Sequence, residues 1–136
     1  MNIYFYVSTS APLTAATDPG WMLLFIDVDH NPKTGWLGYD YVINRTNVRP
    51  GITTLERNVG GSYQWKAVQD IEFRSTGNEL EIAIPRAALG LTANAFTLDF
   101  KWADNIQQSN GHHRESDFSK NLAVDSPKPG GLSLYP

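Results

Sequence analysis

The chain has 136 residues, 41% of them hydrophobic, enough for one proper core, so a single domain spanning 1–136 is expected. Eleven Lys plus Arg against 14 Asp plus Glu leave a net charge of −3, which offers no field to a polyanion and sets nucleic acid and anionic membranes aside. No run approaches the roughly 20 apolar residues of a membrane-spanning helix, the start lacks the basic-then-apolar pattern of a signal peptide, and the lack of cysteine excludes disulfides and thiolate metal sites.

Strand signals dominate from the start. Ile3-Tyr4-Phe5-Tyr6-Val7 crowds β-branched and aromatic residues together, and a Ser/Thr/Pro-rich loop follows. Trp21 to Asp29 is nearly continuous in apolar residues behind Pro19-Gly20, which predicts a central strand covered on both faces. Tyr39 to Arg45 alternates, and Arg49-Pro50-Gly51 supplies a turn. Strands at Thr53 to Asn58 and Tyr63 to Gln69 are joined by Gly60-Gly61, and a further hairpin pairs Ile71 to Arg74 with Leu80 to Ile84 across Thr76-Gly77-Asn78. Pro85 opens a single helical turn at Arg86 to Leu89, which Gly90 closes. Phe96, Leu98, Phe100 and Trp102 form the apolar face of a half-buried strand. Ile106 to Gly131 reads as a long polar loop before a short last strand at Leu132 to Tyr135. Many short strands with almost no helical period predict an all-β fold, an antiparallel sandwich or barrel.

The strongest local signal is Asp27-Val28-Asp29-His30-Asn31-Pro32-Lys33-Thr34-Gly35, where oxygen side chains fall at alternate positions as a strand enters a turn. Six to eight oxygens at about 2.3–2.6 Å suit Ca²⁺, and Asp27, Asp29, Asn31 and Asp40 are the candidate ligands. An EF-hand is excluded, because its sixth and twelfth loop positions would be Pro32 and Gly38. A second reading stands beside the metal: Asp and Asn at strand ends cap nearby backbone N–H groups. His112-His113 with Glu115 and Asp117 lacks a spacing that demands a metal, and reads as loop histidines. No nucleophile elbow, phosphate-cradling Gly-rich loop or zinc-protease helix occurs.

The run from Phe25 to Arg45, Phe25-Ile26-Asp27-Val28-Asp29-His30-Asn31-Pro32-Lys33-Thr34-Gly35-Trp36-Leu37-Gly38-Tyr39-Asp40-Tyr41-Val42-Ile43-Asn44-Arg45, resembles the family 9 carbohydrate-binding modules and the wider sugar- and haem-binding DOMON superfamily. Ile84-Pro85-Arg86 with Leu89-Gly90, Phe100 to Asn105, Asp117-Phe118 and Asp125-Ser126-Pro127 are similar to later landmarks of such modules, so the likeness runs from Tyr4 to Tyr135. The resemblance implies a jelly-roll or immunoglobulin-like β-sandwich, structural Ca²⁺, an extracellular or cell-surface setting within a larger multidomain protein, and sugar held between aromatic rings. Haem is not expected, because Met22, the one interior Met, lies in a run that reads as core. Such modules carry further strands before the one that begins here at Ile3. An unpaired first strand and a weak homodimer through its edge are therefore expected.

The expected function is a noncatalytic module that anchors a secreted enzyme or surface protein to polysaccharide or oligosaccharide. An interaction or spacer domain without sugar affinity is the alternative, and a hydrolase or lyase using Asp40 or Asp104 the third reading. Trp36, in the Gly-flanked turn Gly35-Trp36-Leu37-Gly38, is the first stacking ring, followed by Trp102, Tyr39 and Tyr41, with Trp65 in reserve. Asn44, Arg45, Asp104 and Asn105, together with Asp40, are the candidate hydrogen-bonding partners of the sugar.

Overall fold

The computed structural model describes residues 1–93 and 95–104, and the backbone of Gln108–Ser109, His112–His113 and Ser133–Tyr135. The strands are β1 (Asn2–Ser8), β2 (Leu23–Asp27), β3 (Tyr41–Ile43), β4 (Ile52–Asn58), β5 (Trp65–Thr76), β6 (Glu79–Pro85), β7 (Asp99–Ala103), β8 (Gln108–Ser109), β9 (His112–His113) and β10 (Ser133–Tyr135). Eight of them form one sheet in the order β10-β1-β6-β5-β4-β3-β2-β7, with every pairing antiparallel, and β8 pairs with β9 separately. A single turn of 3-10 helix, Arg86–Leu89, follows β6 and is closed by Gly90 in the left-handed conformation.

The sheet curls into a half-barrel. In a flat sheet, the strand order would hold β1 and β7 about 29 Å apart. Instead Phe5 of β1 and Phe100 of β7 meet edge to face at 5.2 Å. Curling lets the sheet fill its own interior: Phe5, Ile26, Leu55, Ile82 and Trp102 all belong to one buried cluster on the concave side. A second cluster, Leu23, Phe25, Val42 and Ala103, is covered by Trp36 on the convex side. Strand β2 contributes to both, as its unbroken apolar run predicts.

Several elements depart from the sequence expectation. The strands expected at Tyr63 to Gln69 and Ile71 to Arg74 are replaced by one, β5, which starts at Trp65 and runs through both. Its register against β4 shifts between Leu55↔Gln69 and Glu56↔Ala67, so Val68 is an extra residue. That bulge reverses the side-chain alternation, sending Trp65 to the convex cluster and Ile71 and Phe73 to the concave one. Strand β2 begins at Leu23 rather than Trp21 because Met22 has a positive φ of 43°. The strand expected from Phe96 starts only at Asp99, and the predicted loop contains β8 and β9. Finally, β1 is no edge: Tyr4, Phe5 and Tyr6 pair with Tyr135, Leu134 and Ser133 on the side away from β6. A homodimer through an unpaired first strand has no such edge to use.

Candidate functional site

The candidate site lies at one end of the sheet, where the β2–β3 connection meets the β4–β5 turn. Its shape is set by short polar side chains closing local turns. Asp27 Oδ1 accepts from the N–H groups of Asp29 (3.1 Å) and His30 (2.8 Å), Asp29 Oδ1 from Asn31 (3.0 Å), and Asn31 Oδ1 from Lys33 (3.0 Å). The Thr34 hydroxyl donates to Asp29 at 2.7 Å. A tight hairpin follows: Trp36 and Tyr39 exchange two backbone hydrogen bonds of 2.8 Å across Leu37 and Gly38, both at positive φ. Gly35 is required there, because a Cβ on it would lie 2.0 Å from the Tyr39 carbonyl oxygen.

This folding gathers three carboxylates. Oxygens of Asp27, Asp29 and Asp40 all lie within 4.8 Å of one another. Asp40 sits just before β3, where its Oδ2 accepts from Val28 N–H at 2.9 Å. Burial, and then the charges of Asp29 and Asp27, push its carboxyl above the usual carboxylate range. Asp29 is held below that range, first by the Thr34 hydroxyl. An all-oxygen set of clustered carboxylates fits a hard cation such as Ca²⁺. Capping and cation ligation are compatible, since a carboxylate offers about four lone-pair sites. Asn31 caps the same turn, its Oδ1 accepting from Lys33 N–H. Beside the cluster, His30 bonds Asp99 through Nδ1 and Thr97 through Nε2, each at 2.7 Å, and the Asp99 carboxylate raises its pKa.

The cluster opens into a cleft of about 320 Å³ lined by Asp29, Thr34, Asp40, Tyr41, Arg57 and Asn58, with Gly60 and Gly61 at its lip. Asn58 N–H donates to the Asp40 carbonyl at 2.8 Å, which brings the end of β4 to the carboxylates. The two turns lie near each other, since a Cβ on Gly61 would stand 3.7 Å from the Gly35 carbonyl oxygen.

Most of the rings and polar groups expected to hold sugar serve the fold instead. Trp36 is 5% exposed, packed against Phe25, Tyr63 and Trp65, and Trp102 is 4% exposed in the concave core, so neither ring has a face to offer. Tyr39 leans on Phe25, and burial pushes its phenol to about 12. Tyr41 is buried at the cleft wall. Arg45 forms a two-pronged ion pair, at 2.8 Å twice, with the buried Glu56. Asn44 Nδ2 donates to the Met22 carbonyl (2.8 Å), and Asp104 accepts from Met22 N–H (2.9 Å). Asn105, Glu115 and Asp117 lie outside the described residues.

No family model, curated protein or solved structure matches this chain. Sequence reasoning missed Thr34, Arg57 and Asn58 as cleft residues. The available signal was Gly60-Gly61, which marks a turn able to reach the β2–β3 connection.

Proposed function

We propose that this chain is a noncatalytic carbohydrate-binding module, a β-sandwich in the sense that the halves of its curled sheet face each other across one core. One observation carries the reading. The cleft beside Asp29 and Asp40 combines carboxylates, a hydroxyl and a guanidinium, a mix of acceptors and donors that suits sugar hydroxyls. The likeness of residues 25–45 to family 9 modules supports it. Arg57, Thr34 and Tyr41 form the sugar site in this reading, in place of the buried Trp36 and Trp102, while the Asn58 side chain holds the β4–β5 turn through Ser62, Gln64 and Gly61. Asp27, Asp29 and Asp40 hold a structural Ca²⁺ that stiffens the cleft wall. The module works outside the cell, tethering a larger secreted or surface protein to polysaccharide.

Carboxylates gathered this closely, with oxygens within 4.8 Å of one another, support the cation site. The burial of both indoles favours a second reading, a spacer domain without sugar affinity. Affinity electrophoresis through a polysaccharide panel decides between them. Retardation by at least one glycan, lost in Arg57→Ala with an unchanged melting curve, is expected. Free migration through every gel selects the spacer, and steady release of reducing ends would overturn the noncatalytic assignment. For the cation, a site saturated 100-fold above its dissociation constant adds about 2.7 kcal/mol, so excess EGTA should lower the melting temperature of the wild type and leave Asp29→Ala unaffected.

A further inference from the structure

We propose that Arg57 and Lys66 form a cationic pair that makes the cleft selective for acidic sugars, those carrying a carboxylate or a sulfate group. The inference deepens the glycan reading and rests on it.

The pair comes from strand register. Tyr41, Arg57 and Lys66 are direct cross-strand partners on β3, β4 and β5, so their side chains leave the same face of the sheet. Tyr41 and Arg57 line the cleft, and Lys66 stands one strand further on, about 4.8 Å away. The bulge at Val68 lies beyond Ala67, so it leaves the pairing of Arg57 with Lys66 in register. Both residues are exposed, and β6 pairs with β5 only from Glu72 to Thr76, which leaves Lys66 without a neighbour on that strand.

Like charges placed directly opposite each other on adjacent strands destabilise the pairing. Other arginines of this sheet are neutralised: Arg45 by Glu56 and Arg49 by Asp70. Arg57 and Lys66 make no ion pair or side-chain hydrogen bond among the described residues. Glu56, next to Arg57 in sequence, is taken by Arg45, while Asp29 and Asp40 in the same cleft accept from the Thr34 hydroxyl and the Val28 N–H. Two adjacent cations without an acid between them complement an anion supplied by a ligand. An acidic sugar satisfies both parts of the site, with its anionic group on Arg57 and Lys66 and its hydroxyls on Thr34 and Asp29. Because the whole chain carries −3, the pair acts at contact range and confers selectivity rather than long-range attraction.

The test uses the full chain with trigalacturonate, its uncharged methyl ester and galactose 6-sulfate, followed through amide chemical shifts. At least one of the two acidic probes should shift the amides of Tyr41, Arg57 and Lys66 saturably, and the tighter of the two identifies the anion as carboxylate or sulfate. The ester should bind at least about fivefold more weakly than the acid if the anion is the carboxylate, the discrimination one exposed ion pair supplies. Arg57→Gln and Lys66→Gln should each weaken the preferred acidic probe by roughly the same factor without lowering the melting temperature, since each removes a like-charge repulsion. Arg74→Gln, at the other end of β5, should change nothing. Lack of saturation by both acidic probes, or an affinity untouched by both cleft variants, overturns the proposal. Retardation of the chain by a neutral glycan would in that case leave the module reading standing, whereas free migration past every glycan removes both. Should Arg57→Gln fail to fold, Lys66→Gln decides alone.

Discussion

Asn44 and Asp104 bracket a single strained residue. Met22 is buried with a φ of 43°, a conformation that disfavours any side chain with a Cβ, and both of its backbone polar groups are held by these two side chains. Asn44→Ala should therefore leave a buried carbonyl unpaired and cost about 1–3 kcal/mol in urea unfolding, with no change in glycan binding. A loss of binding at unchanged stability would return Asn44 to the sugar site. The Arg49–Asp70 pair yields a pH test. Arg49, then the Thr54 hydroxyl, hold the Asp70 carboxyl below its ordinary 3.8. A depressed folded pKa stabilises above the unfolded value and is lost as pH falls through the folded one. The stability gap between wild type and Arg49→Ala should thus be constant above about pH 4 and close on further acidification, as read by unfolding curves across that range. At this scale the pair Asp27 and Asp29 was legible, because alternate spacing at a strand end constrains it directly, whereas Asp40, eleven residues on, reaches them through the Trp36–Tyr39 hairpin. Asn44 and Asp104 were not, since a polar residue at a strand end looks the same whether it faces a ligand or repairs a kink at Met22.

Two glycines separate a turn that needs open space from one that needs only a backbone angle. Both Gly35 and Gly77 have positive φ, but a Cβ on Gly77 meets nothing within 4 Å, whereas on Gly35 it would strike the Tyr39 carbonyl at 2.0 Å. Gly77→Ala should cost about 1–2 kcal/mol, the conformational term alone. Gly35→Ala should cost clearly more and also weaken any calcium response, because the hairpin it displaces leads to Asp40. Equal melting temperatures for the two variants would contradict this. Most turns were readable from the sequence: Pro50-Gly51, Gly60-Gly61 and Gly77-Asn78 fall where their residues predict, as does the Gly90 cap. Strand β5 was misread for a definite reason. Trp65 and Ile71 are both odd-numbered yet face opposite sides, and a one-residue bulge cannot be told from a turn by alternation alone.

For the molecule as a whole, the decisive contacts are those between strands distant in sequence. Phe5 is fully buried against Phe100, and β1 is flanked by β10. Removing Ser133–Tyr135 should uncover the outer edge of β1 and produce concentration-dependent self-association in light scattering, whereas the intact chain stays at its 15.1 kDa mass. A deletion variant that remains monomeric would show that other groups shield that edge. The all-β, antiparallel character follows from local alternation and was legible, but curvature was not: nothing in any one strand announces that the sheet rolls until Phe5 meets Phe100. That closure also sets a schedule for synthesis. In a nascent chain the apolar side of β1 is made some 95 residues before Phe100, the ring that packs edge to face on Phe5. At about 5–20 residues per second, that face stays open to solvent and to chaperones for several seconds of translation.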